Sequence, residues 1–141
     1  MNELISVIED LIALFKDMIQ IEQIKLDAAK KNRITHVEDC MKKEQAAILK
    51  LKGLEKKRAL TQEKIGLSDL TFQQILEETK GDDHTKLQEL FHTLSHQVRL
   101  FQDTNESART MIEINLHNIN KAIDLSKDGT DSNKTKWEGL I

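Results

Sequence analysis

The chain has no proline and no tyrosine among its 141 residues, and only five glycines, one cysteine and one tryptophan. Each scarcity excludes something. Without proline and with little glycine, almost nothing interrupts a helix, and the abundant Glu, Lys, Leu, Gln and Ala all favour one. A β-domain of this length would need many more turn residues and more β-branched and aromatic side chains than are present. A lone Cys40 cannot form an intrachain disulfide. No apolar run approaches the roughly 18 residues that mark a membrane-spanning helix. The apolar start, Leu4 to Ile21, is broken by Glu9, Asp10, Lys16 and Asp17, and it lacks the basic region and cleavage site of a signal peptide. A one-signed surface is missing too: 21 basic and 24 acidic residues are well mixed, which argues against nucleic acid as a partner. What remains is a cytoplasmic, all-α chain.

Three breaks divide it. Asn32-Arg33-Ile34-Thr35 is the first, where Thr35 with Glu38 reads as a capping box opening a second helix. Gly66-Leu67-Ser68 is the second, with Gly66 suited to a left-handed helix end and Ser68 to the next N-cap. Gly81-Asp82-Asp83 is the third, a C-cap glycine followed by N-capping aspartates. The pattern predicts helices over 2–31, 36–65, 69–79 and 83–126, making one helical domain of residues 1–126, followed by a flexible tail over 127–141 that loses periodicity. At 1.5 Å per residue the first two helices run roughly 45 Å and the last roughly 65 Å. Helices of that length are marginal alone in water and must bury a stripe against a neighbour. The expected architecture is an elongated antiparallel bundle with coiled-coil character.

The stripes follow three-four spacing. The first helix offers Leu4, Val7, Ile8, Leu11, Leu14, Phe15, Met18 and Ile21; the second, Val37, Cys40, Met41, Ala47, Ile48, Leu51 and Leu54. The last carries Leu87, Leu90, Phe91, Leu94, Val98, Phe101, Ala108, Ile112, Leu116, Ile119 and Ile123. A second row on the first helix, Ile5, Ile12, Ile19 and Leu26, widens its apolar face to roughly twice the usual arc, as a helix between two neighbours requires. A short turn at 32–35 makes the first two helices a hairpin, whose register sets Glu22 opposite Glu44 with Lys25 one turn away. Two carboxylates on a buried seam need a cation between them, and Lys25 fits.

Enzymatic constellations are weak. Glu89-Leu90-Phe91-His92 has the Glu-x-x-His spacing of di-iron bundles, but the sequence has no second copy, and both residues flank the apolar stripe instead of joining it. His92 and His96 share the i, i+4 spacing of a zinc pair without a third ligand or catalytic glutamate. Cys40, on the edge of a buried stripe, reads as a small hydrophobe. No catalytic residue, metal site or cofactor is expected. Glu55 and Arg58 are either a solvated pair or a partly buried one that sets register between the hairpin and the last helix.

The end of the last helix carries more apolar surface than one seam uses. Ile114 and Leu125 project opposite Ile112, Leu116, Ile119 and Ile123, with Met111 and Ala122 on a flank. Because this helix is the longest, its final turns are expected to overhang the body and present a helix-binding patch. Self-association into a homodimer through the same patch is the alternative. Asn105, Asn115, Asn118 and Asn120 concentrate here, and buried asparagine must find a hydrogen bond. Trp137 is a lone aromatic anchor in the polar tail, able to dock on this protein's own groove or a partner's.

The order of these features resembles the FlgN family of flagellar export chaperones over residues 3–125. The likeness rests on the long hairpin, Leu54-Glu55-Lys56-Lys57-Arg58 with Gly66 beyond it, Leu67-Ser68-Asp69-Leu70 at the start of a short third helix, and Asn105 with Asn115-Leu116 in the long last helix. The resemblance implies a cytoplasmic chaperone that binds helical C-terminal segments of hook–filament junction (hook-associated) proteins, keeps them soluble and delivers them for type III export. Components of the export apparatus are further expected partners; nucleic acid and membrane are not. The family binds clients through its C-terminal helical part. Here that part contains Asn105, Ala108, Met111, Ile112, Ile114, Asn115, Asn118, Ile119, Ala122, Ile123 and Leu125 as partner-binding residues, with Glu55 and Arg58 in a structural role. The competing reading is a structural or adaptor coiled-coil protein of a secretion apparatus.

Overall fold

Four helices, and no strand among the described residues, make up the computed structural model: α1 over Asn2–Lys30, α2 over Ile34–Lys64, α3 over Phe72–Glu77 and α4 over Gly81–Ala122. The described residues are 1–122, without the side chains of Leu116 and of residues 118–122. The tail over 127–141, with Trp137, and the site candidates Ile123 and Leu125 lie outside them, as do the side chains of Asn118, Ile119 and Ala122.

Each break is built differently from its sequence signature. α1 closes at Asn32, which takes the left-handed conformation (φ 55) while its N–H returns to Ala29 O and that of Arg33 to Ala28 O. α2 can therefore start at once, with Arg33 as its N-cap and no side-chain cap bond, so the expected Thr35–Glu38 capping box does not open it. Gly66 does end α2 as expected, at φ 75, with Leu67 N donating to Gln62 O at 2.8 Å. Ser68 is not the next N-cap. A second left-handed residue, Asp69 (φ 60), prolongs the turn, and Thr71 caps α3 through a reciprocal box with Gln74. Gly81 (φ 66) is the first residue of α4 instead of the C-cap of α3, and Asp82 and Asp83 fall in the first turn, where the helix dipole favours negative charge.

The double apolar face of α1 has its explanation in the packing. α1 lies between α2 and α4 and packs along both, whereas α2 and α4 scarcely meet among the described residues. Leu4, Val7, Ile8 and Leu11 are at most 1% exposed, and with Phe15 and Met18 they meet Ile48, Leu87, Phe91, Leu94 and Phe101 in one core. Ile19 from the second row is buried as well, and Ile5, Ile12 and Leu26 are half-buried. Phe15 meets Phe101 edge to face at 5.8 Å, and Phe72 of α3 stacks on Phe91 at 4.1 Å. Burial of each such side chain stabilises the fold by about 1.5–3 kcal/mol. α3 thus packs on α4 through this stack.

Phe101 on Phe15, Asn105 on Glu22 and Asn115 on Ala29 show that α4 runs parallel to α1. Among the described side chains of α4, the last fully buried large apolar residue is Phe101. Past it the α1–α4 seam is made of Ala28, Ala29, Ala108 and buried polar groups. Asn115 lies level with the last turn of α1, and the α4 backbone continues seven residues further, to Ala122. That is about 10 Å of helix.

Candidate partner-binding surface

The seam register expected from the sequence is present. Lys25 Nζ lies 2.7 Å from Glu22 Oε2 and 2.5 Å from Glu44 Oε2, with Glu22, Lys25 and Glu44 0%, 0% and 3% exposed. α4 joins this cluster through Asn105, whose Nδ2 donates to Glu22 Oε2 at 3.0 Å. Two buried acids share one ammonium, and the resulting imbalance falls on Glu44. Burial pushes its carboxyl up to about 8, a hydrogen bond with Glu22 adds to the rise, and Lys25 opposes it. With Glu44 protonated, one carboxylate faces one ammonium and the buried charge balances. Cys40, one turn away on α2, is buried, and that burial raises its thiol pKa.

Glu55 and Arg58 do form a pair, Nη2 to Oε2 at 2.8 Å, half-open to solvent. Among the described residues, no hydrogen bond or ion pair joins them to α4. Arg58 also donates to Gln62 Oε1, and buried Gln62 donates to Leu67 O at 2.9 Å, so the pair is fastened to the turn after α2. The network runs within α2 and its own exit turn. Glu89 and His92 are both exposed on α4, and no three His, Cys, Asp or Glu side chains converge as a metal site among the described residues.

The structure divides the site candidates on α4. Asn105 (2% exposed) and Ala108 (0%) sit inside the seam against α1. There they make internal contacts, α1 being long enough to reach both. Asn115 is half-buried and donates to Ala29 O. Met111 and Ile112 are half-buried, and Ile114 is 48% exposed. Sequence reasoning missed a groove of ≈ 590 Å³ between α1 and α4, where Met111 and Leu26 meet Lys30, Asp103 and Glu106. Its signal was available in Leu26, the last member of the second apolar row.

These features define a class: a helical protein-binding bundle, locked by a buried polar junction and carrying incompletely covered apolar residues near the end of its longest helix. The chain belongs to the FlgN family, matching the FlgN protein family over residues 1–135, and is thereby a flagellar export chaperone. Neither a curated protein nor a solved structure gives a match. No helix among the described residues is long and apolar enough to cross a membrane.

Proposed function

We propose that this chaperone works in the cytoplasm on the helical C-terminal segments of hook–filament junction proteins, shielding their apolar faces until export. The binding surface is the end of α4: Met111, Ile112, Ile114 and Asn115, continued by Asn118, Ile119, Ala122, Ile123 and Leu125. One observation carries this reading. α4 outruns α1 at the level of Ala29, and Ile114 there is 48% exposed. An amphipathic client helix laid along this stretch would find anchors at i, i+3, i+4 and i+7 and need no covalent chemistry.

Titration calorimetry with a purified C-terminal segment of a hook-associated protein tests it. A buried isoleucine contributes about 1.5–3 kcal/mol, so Ile114→Asp or Ile119→Asp is expected to weaken binding roughly ten- to hundredfold with helicity unchanged. Undiminished binding by both variants, combined with its loss on charge substitution along the outer face of α2, would assign the client to the hairpin. A permanent complex with structural components, and no reversible client binding, would favour the adaptor reading.

A further inference from the structure

The balance of charge over the whole chain conceals a one-signed helix face. Residues 42–60 hold seven of the 21 basic residues and two of the 24 acidic ones. Of those two acids, Glu44 is buried in the seam and Glu55 is held by Arg58. Lys42, Lys50, Lys52, Lys56 and Lys57 are exposed, and none forms an ion pair among the described residues. Apolar side chains stand among these lysines. Leu49, at 69%, is the most exposed large apolar residue of the described side chains, and Leu60 is 50% exposed. Lys42, Ala46, Leu49, Gly53, Lys56 and Leu60 follow one another at alternating spacings of four and three, and all are exposed. They form a single row along α2, turned away from its buried Ala47 and Ile48 face.

We propose that this outer face of α2 is a docking seam for one acidic amphipathic helix of another protein. The partner's apolar residues seat on Leu49 and Leu60, and its carboxylates meet the lysines in and beside the row. Leu49 and Leu60 lie about 16 Å apart along the helix. Between them stands Gly53, where a Cβ would meet nothing within 4 Å. That space admits a large side chain between two apolar anchors, as in a coiled-coil seam. The lysine stems extend the apolar strip while their ammonium groups select a partner of opposite sign. A second copy offering the same face would set lysine against lysine. A bilayer fits less well, because Lys42 and Lys56 stand in the apolar row itself and α2 has no Trp, Tyr or Phe to anchor it. A phosphate backbone would leave both leucines unused. The face points away from α1, and α2 scarcely meets α4, so this seam is separate from the end of α4 and does not rest on the proposed function.

Fluorescence anisotropy with the full-length protein tests it. The probe is a labelled synthetic three-heptad helix with leucine along one face and glutamate on both flanks. Two controls accompany it: the same helix with lysine in place of glutamate, and a scrambled sequence of the glutamate peptide's composition. The glutamate helix is expected to bind one to one, and both controls at least about tenfold more weakly. Leu49→Gln/Leu60→Gln should weaken the glutamate helix roughly ten- to hundredfold, and Lys42→Glu/Lys56→Glu should transfer preference to the lysine helix. All four positions are exposed, so far-UV circular dichroism should not move. Equal binding of the glutamate helix and its scramble would overturn the proposal, leaving only diffuse charge attraction. Indifference to the leucine substitutions, or no binding of the glutamate helix, would overturn it too. Leucine-dependent sedimentation with vesicles of equal parts phosphatidylcholine and phosphatidylglycerol, without peptide binding, would assign the face to a membrane surface. Ile114→Asp should leave binding of the glutamate helix unchanged, so failure here and failure of the client site at the end of α4 are read separately.

Discussion

Glu44→Gln isolates the one buried proton that the seam is built around. A carboxyl at about 8 in the folded chain titrates from 4.5 in its ordinary state. Between these values the folded state binds more protons than the unfolded one, so this group's contribution is fully present below pH 4.5 and drains away as pH rises toward 8. Each unit of displacement corresponds to about 1.4 kcal/mol. Integrated from pH 5 to pH 8, the loss approaches 3–4 kcal/mol, a large part of the ~5–15 kcal/mol that holds a small domain together. Glutamine keeps a neutral, hydrogen-bonding side chain of nearly the same shape beside Lys25 and Glu22, and it cannot ionise. The variant should match the parent near pH 5 and exceed it increasingly at higher pH. Urea denaturation of both proteins at half-unit steps from pH 5 to 9 gives the difference, from which the histidines and exposed carboxylates common to both cancel. A difference that stays flat across that range would refute the reasoning, because it would mean that Glu44 is ionised throughout and Lys25 carries two full carboxylates.

The companion substitution Lys25→Met removes the cation between Glu22 and Glu44 while preserving bulk. Breaking a buried pair in this way costs about 3–5 kcal/mol, so the urea midpoint should drop strongly at pH 7. Gly66→Ala places a Cβ at φ 75, in open space but in the left-handed region. It should destabilise by about 1–2 kcal/mol, measured by thermal melting, and lengthening α2 is not expected to compensate.

What could be read from the sequence was whatever depends on period and pairing. The four helices, the hairpin and the Glu22–Lys25–Glu44 meeting all follow from spacing, because a buried helix face repeats every three or four residues and a short turn fixes which residues face each other. The turns were less legible. Asn32 and Asp69 adopt left-handed conformations without glycine, and each moved a helix start away from its nearest capping signature. Thr71-x-x-Gln74 was a capping box in plain view, but Ser68 beside Gly66 was the more conspicuous candidate. Placement across the last helix was least legible of all. Asn105 and Ala108 look like partner-facing residues only when the depth of the α1–α4 seam is unknown. With α4 parallel to α1 and Phe101 on Phe15, the next turns of α4 run beside Glu22, where Asn105 donates to its carboxylate and Ala108 packs into the seam.

That change in the seam, from large apolar side chains to alanine and paired polar groups past Phe101, ties the fold to its work. Phenylalanine and leucine hold α4 to α1 without regard to small shifts along the axis, whereas Asn105 on Glu22 and Asn115 on the Ala29 carbonyl are satisfied in only one register. Buried polar groups left unpaired cost about 1–3 kcal/mol each, so sliding or rotating α4 is penalised on both sides of Met111 and Ile114, at Asn105 and at Asn115. A helix that is to offer a partner one particular face near its end needs its rotation defined there. An all-leucine seam would bind α4 as firmly but leave open which residues it presents.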